Sequence, residues 1–258
     1  MRFRSLVALM LLAIVPPVAH SVNFKSTNLQ TGLLELYTSE GCSSCPPADR
    51  FVSQLKDEDG LWTEFIPLAF HVDYWDYIGW KDRFASADFS KRQRQYAREQ
   101  SLKTVYTPGF LYNGQEWRGW LSRKLSAVPQ AGEPGVLELT VADERATVKF
   151  SPAHLGFENL RVNVAILGFD LKTEVKAGEN RGRKLPHDFI VLGIASNNMT
   201  VSENAYQSGI KLPKTSVSAP RYAVVSWVSS DEKISPLQAT GGWLPRSFSD
   251  LGRSVDEK

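Results

Sequence analysis

The sequence is short of cysteine: two in 258 residues, Cys42 and Cys45. A pair this close cannot staple distant parts of the chain, and it is half of a tetrahedral metal site with no second pair to complete it. Charge of one sign is also missing. Removing Arg2 and Arg4 with the leader described below takes the 30 basic residues to 28, against 28 acidic ones. A neutral chain gives no electrostatic reason to bind nucleic acid or an anionic membrane. Beyond the leader no apolar run is long enough to span a bilayer, and there is no internal repeat or low-complexity tract.

What is present begins with residues 1–21. Arg2 and Arg4 precede an apolar run over residues 6–15, then Pro16, Pro17 and the small-residue site Ala19-His20-Ser21. This is the layout of a secretory signal peptide cleaved near Ser21, and about ten to thirteen apolar residues are too few for a membrane anchor. No cysteine precedes Cys42, which argues against a lipid-anchored lipoprotein. The expectation is an exported, periplasmic or secreted protein with no membrane span once the leader is gone. Such compartments favour disulfides.

The cysteines stand at a strand-to-helix corner. Residues 32–39 read as a buried strand, Gly41 begins the corner, and residues 49–56 supply a helix that begins or bends at Pro46 and Pro47. A helix N-terminus favours a thiolate, so Cys42 is the candidate nucleophile and Cys45 the thiol that closes a disulfide behind it. A loop this short adds little stability. Redox chemistry is therefore the favoured role, with a static disulfide or half of a metal site as alternatives.

Residues 65–72 form a second strand. A strand, helix, strand order makes the two strands parallel, so the segment after His71 opens beside the cysteines. That segment, residues 71–82, carries four aromatics and three aspartates. His71 either tunes a thiolate or is a hydrogen-bonded core histidine. Asp73 and Asp76 brace the loop or bind, and Trp75 and Trp80 pack or line a client groove. A basic helix over residues 88–102 follows, with Phe89, Gln93, Tyr96 and Ala97 on its inner stripe. Next, Thr107-Pro108 leads into a hairpin turned at Asn113-Gly114, with Pro108 suited to a cis bond, and residues 121–128 form a last short helix.

From residue 133 the pattern changes to short β-rich segments at 136–142, 146–150, 160–169, 189–195, 206–212 and 222–228, with a hairpin turn at Asp143-Glu144. This predicts an antiparallel sandwich-like domain. Lys176, Arg181, Arg183 and Lys184 sit on a loop read as a solvated basic loop, or one touching an acidic partner or the other domain. His187 is read as structural.

Gly41-Cys42-Ser43-Ser44-Cys45, the crossover into His71, and Thr107-Pro108 before Asn113-Gly114 together resemble the thioredoxin superfamily. The whole chain is similar to a secreted bacterial family catalogued as domain of unknown function 1223. The matching stretches are Tyr37-Thr38-Ser39-Glu40-Gly41-Cys42-Ser43-Ser44-Cys45-Pro46-Pro47-Ala48-Asp49, His71-Val72-Asp73-Tyr74-Trp75-Asp76 with Gly79-Trp80, Val105-Tyr106-Thr107-Pro108, and Gly178-Glu179-Asn180-Arg181-Gly182-Arg183. The resemblance implies an α/β thioredoxin-like domain over residues 22–130, an all-β domain over 133–246 and a tail over 247–258. It also implies that Cys42 attacks, Cys45 resolves and Pro108 is a cis-proline beside them.

The resulting expectation is thiol–disulfide exchange on protein clients, catalysed by Cys42, Cys45 and Pro108. Thr107, His71, Asp73, Trp75, Asp76 and Trp80 contact the client, and no metal or cofactor is needed beyond a redox-active Cys42–Cys45 disulfide. The alternative is a non-enzymatic protein-binding module with a structural disulfide.

Overall fold

The computed structural model describes residues 21–100, 104–122, 132–154, 156–215, 217–246 and 248. The leader up to residue 20, most of the short helix expected over 121–128, and nearly all of the tail lie outside the described residues.

In chain order the elements are β1 (Ser21–Lys25), β2 (Gly32–Thr38), α1 (Pro46–Gln54), β3 (Phe65–His71), α2 (Ala87–Glu99), β4 (Gly109–Tyr112) and β5 (Gln115–Glu116). There follow β6 (Gly135–Ala142), β7 (Arg145–Pro152), β8 (Leu160–Phe169), β9 (Leu171–Glu174), β10 (Lys184–His187), β11 (Ile190–Asn198), β12 (Thr200–Ser202), β13 (Ala205–Lys211), β14 (Arg221–Ser230) and β15 (Pro236–Trp243). The first turn of α1 accommodates Pro46 and Pro47, where a missing N–H costs no helical hydrogen bond. Helix α2 is capped by the Ser86 side chain, which accepts from the Asp88 amide, and it buries Phe89, Gln93, Tyr96 and Ala97.

The fold class departs from expectation. The molecule is mostly β, with two short α-helices among the described residues, and it is not an α/β thioredoxin-like domain followed by a separate all-β domain. One eight-stranded mixed sheet, in the order β15-β14-β8-β11-β3-β2-β4-β5, draws strands from both halves of the sequence. The seam is parallel: Ile190 of β11 pairs with Ala69 of β3, and the Ala69 amide donates to the Phe189 carbonyl at 2.9 Å. A five-stranded sheet, β1-β6-β7-β13-β12, covers part of one face, and β9 and β10 form a separate hairpin.

Packing explains this architecture. Strands β8 and β14 are buried almost throughout, because alternate residues enter different cores. Ala165, Leu167, Phe169, Val225 and Trp227 join Leu33, Leu36, Phe51 and Phe70 in one core. Val162, Val164, Ile166 and Val224 turn to the other face and pack with Leu137, Leu139 and Val148 of the five-stranded sheet. A strand apolar on both faces belongs in the middle of a stack, and here that stack spans both halves of the chain.

Around the cysteines the local organisation follows the sequence closely. Strands β2 and β3 are parallel with Thr38 opposite His71, and β4 runs antiparallel to β2 with Gly109 opposite Tyr37. Asn113 and Gly114 turn the β4–β5 hairpin, both at positive φ (47° and 80°), as this tight turn requires. The stretch expected to be a loose lead-in instead contains β1. Val22 and Phe24 alternate inward onto the second core while the strand pairs with β6.

Candidate functional site

Strand β2 delivers the chain to a tight corner at the carboxyl edge of the sheet. The Cys42 amide donates to the Ser39 carbonyl at 3.1 Å and the Cys45 amide to the Cys42 carbonyl at 3.2 Å. Cys42 and Cys45 are joined as a disulfide, with Cα atoms 5.5 Å apart. Cys45 is the N-cap of α1, and its carbonyl accepts from the Ala48 and Asp49 amides. Pro46 and Pro47 carry no N–H, so the helix end presents fewer amide donors to Cys42 than a Cys-x-x-Cys corner ordinarily offers. The Cys42 sulfur lies 3.3 Å from the Ser44 hydroxyl.

Both cysteines are buried, Cys42 at 1% and Cys45 at 0% exposure, while Ser43 and Ser44 between them are exposed. The loop between β9 and β10 docks on the main chain of this corner. Asn180, itself wholly buried, donates from its carboxamide to the Glu40 carbonyl at 2.8 Å and the Cys42 carbonyl at 2.9 Å. Its own oxygen accepts from Arg183. The Ser43 amide donates to Glu179 at 3.1 Å, and hydrogen bonding from Ser43, its side chain first and then its amide, holds the Glu179 carboxyl below its ordinary range. Of the readings the sequence left open for this loop, solvated or touching an acidic partner or the other half of the chain, the last holds: it docks, through its asparagine and glutamate, on the cysteine corner.

Thr107-Pro108 is a cis peptide at the head of β4, and the pairing of Gly109 with Tyr37 brings it to the end of β2 from which the corner departs. Trp75 connects the two. Its indole N–H donates to the Thr107 hydroxyl at 2.7 Å, and its main chain passes so near Gly41 that a Cβ there would stand 3.0 Å from Trp75 Cβ.

Behind the corner lies a cluster of buried acids and histidines. Glu40 accepts from the Trp80 indole at 2.8 Å, and His187 Nε2 stands 3.1 Å from its other oxygen. Asp82 Oδ2 accepts from the Glu40 amide at 2.8 Å and lies 2.6 Å from His71 Nδ1, while its Oδ1 accepts from the Phe84 amide. Burial works against a charged His71, yet the adjoining Asp82 carboxylate prevails and lifts its pKa above the ordinary value. Burial also opposes the Asp82 charge, but His71 and the two amides outweigh it and lower its pKa. Asp49, on the first turn of α1, accepts from the Thr38 hydroxyl, and burial raises its pKa. The two imidazoles pack edge to face at 5.3 Å, and His71 Nε2 and His187 Nδ1 are buried without hydrogen-bond partners.

Cys42, Cys45, His71, Trp75, Trp80 and Thr107 thus belong to one continuous set of contacts, with Pro108 at its margin. Asp73 turns away to receive the Ser90 hydroxyl at 2.5 Å and anchor α2, and Asp76 braces the Asp82 amide. Tyr77, directly after Asp76, is 83% exposed. Glu40, Asp82, Asp49, Glu179, Asn180 and His187 were not marked by sequence reasoning as site residues. The signals were Glu40 abutting the Gly41-Cys42 step and the Gly178 to Arg183 motif. No group of three or more His, Cys, Asp or Glu among the described residues could hold a metal ion, and no helix among them is long and apolar enough to cross a membrane.

Fold and site together define a mostly-β protein with one buried Cys-x-x-Cys disulfide at a strand-to-helix corner. The sequence pattern of the family described as "Protein of unknown function (DUF1223)" matches residues 33–229, and the chain belongs to that family. Protein AGR_C_4864 from Agrobacterium tumefaciens is similar in structure (TM-score 0.58, 24% identity, 81% of this chain and 92% of that one). HBP35 of Porphyromonas gingivalis is similar at a TM-score of 0.60 and 15% identity, over 90% of this chain and 79% of the other. These likenesses concern the fold. No curated protein matches the chain.

Proposed function

We propose that the protein carries out thiol–disulfide exchange on exported protein clients, and that its cysteine corner is of the thioredoxin-superfamily kind. The observation that carries the reading is the chain's sole cysteine pair, closed as a disulfide at a strand-to-helix corner whose neighbouring strand begins at cis Thr107-Pro108. The leader-like residues 1–21 support an extracytoplasmic setting. From the disulfide form, a client thiolate attacks Cys42 Sγ, the bond to Cys45 breaks, and Cys45 departs as a thiolate. A second client thiolate then attacks the client sulfur of the mixed disulfide and releases Cys42 as a thiolate. The client loses two electrons and the pair gains them; the reverse sequence reduces a client disulfide.

Burial of both cysteines favours a second reading, a binding module whose disulfide only holds the corner. A Cys45→Ser variant of the full chain separates the two. With Cys45 gone, exchange predicts covalent adducts on Cys42 in an envelope extract that a reductant releases. Absence of adducts, with a pair potential below about −300 mV, would overturn exchange in favour of the module.

A further inference from the structure

The contacts between the β9–β10 loop and the buried cysteine corner have a particular composition. The loop over residues 175–183 is closed on itself: the Val175 amide donates to the Arg183 carbonyl at 3.0 Å and the Gly182 amide to the Val175 carbonyl at 2.9 Å. Two further turns inside it, Arg181 to Gly178 and Arg183 to Asn180, complete a small preformed unit. Gly178 and Gly182 flank its tip with φ of 72° and 83°, where a side chain would be strained. Among the described residues no backbone–backbone hydrogen bond joins this loop to the cysteine corner. The attachment is through side chains: two bonds from Asn180, one to Glu179, and packing of Gly178 against Trp80 and Ile78.

We infer that the loop over residues 175–183 is a lid on the Cys42–Cys45 disulfide, latched by Asn180, and that thiols reach the sulfurs by displacing it. Opening breaks three side-chain hydrogen bonds and leaves both the sheet and the loop's internal bonds intact. It frees the Glu40 carbonyl, the acceptor position of the Cys42 carbonyl that the Cys45 amide does not fill, and the amide of Ser43, two acceptor positions and one donor along one strip of main chain. An extended client segment offers the complementary groups, so the Asn180 carboxamide and the Glu179 carboxylate occupy positions that client peptide groups take when the lid is open. Asn180 is on this view a positioning residue: it sets access to the reacting sulfurs without touching the client's sulfur. The purpose of the lid rests on the exchange reading, but its existence is testable without a client.

The test is the rate at which dithiothreitol reduces the oxidised full-length protein, read by alkylating the freed thiols and weighing the product. Losing the two Asn180 bonds in Asn180→Ala should speed reduction about tenfold, and losing the exposed Glu179 contact in Glu179→Ala about threefold, with the melting temperature of Glu179→Ala near that of the parent and that of Asn180→Ala, which leaves two buried carbonyls short of a donor, lower by several degrees. Reduction of both variants at the parent rate overturns the lid. Should Asn180→Ala fail to fold, Glu179→Ala and the urea dependence of the parent decide. A local opening gives a slope well below that of global unfolding, whereas an equal slope means that the sulfurs are reached only by unfolding and overturns the proposal. Faster reduction without client adducts on Cys45→Ser would leave the lid standing and remove the exchange reading alone.

Discussion

His71 and Asp82 form a wholly buried pair, Nδ1 to Oδ2 at 2.6 Å, at the point where β3 ends behind the disulfide. His71 has a raised pKa and Asp82 a lowered one, two expressions of a single interaction that are not summed. For His71 the stabilisation is complete below its unfolded value of about 6.5 and is lost as pH rises through the higher folded value. For Asp82 it is complete above about 3.8 and is lost as pH falls through the lower folded value. His71→Gln should therefore cost about 3 kcal/mol near pH 5.5, as expected for a broken buried pair, and less toward pH 9. Urea midpoints of parent and variant across that range test this; a gap that does not change with pH contradicts it.

A second buried pair fastens α2 to the sheet. Arg92 donates to both Glu35 oxygens at 2.8 Å, the Tyr96 hydroxyl donates to one of them, and the guanidinium lies 5.2 Å from the Trp227 ring of β14. Glu35→Ala leaves a buried guanidinium with its countercharge removed and should cost about 3–5 kcal/mol. Tyr96→Phe removes a hydroxyl that donates to the charged Glu35 and accepts from Arg92 at 2.9 Å, and should cost about 1.5–3 kcal/mol. A double-mutant cycle in urea should find the two non-additive, and additive costs would deny the network.

The disulfide itself should matter little to stability. By loop entropy a ring this small contributes about 2 kcal/mol, or roughly 4–8 °C in a chain of this size. Melting the protein with the pair replaced by Cys42→Ser and Cys45→Ser measures it. A loss well beyond that range would make the bond a structural staple and favour the binding-module reading.

Gln238 of β15 holds the segment before β2 in place. Its amide nitrogen donates to the Leu29 carbonyl at 3.0 Å and the Gly135 carbonyl at 2.7 Å, and its oxygen accepts from the Thr31 amide at 2.9 Å. Gln238→Leu buries these groups unsatisfied and should destabilise by about 2–3 kcal/mol. Hydrogen exchange should localise the loosening to residues 27–31; uniform exchange along the chain would argue against it.

The sequence made the cysteine corner legible because its signals are local. Alternation, proline position and the Asn113-Gly114 turn each specify a neighbourhood, and β2, α1, β3 and the β4–β5 hairpin formed as those signals predict. The cis bond at Pro108 belongs to the same class. Sheet membership does not. Nothing in the apolar run of β8 says which strands flank it, and the seam between Ile190 and Ala69 spans 121 positions (69 to 190) without a motif at either end. Asn180 and His187 were obscured for the same reason. An asparagine in a basic loop reads as solvated until tertiary structure sets it against Glu40 and Cys42. In β1 the cue was present, in the inward pair Val22 and Phe24, but five residues beside a leader are easily taken for linker.

Asn180 lies 138 positions after Cys42. At a synthesis rate of about 5–20 residues per second, the cysteine corner is made on the order of ten seconds before the loop that docks on it. The contacts between the two therefore form only after the distal β9–β10 hairpin has been synthesised, well after the corner's own residues.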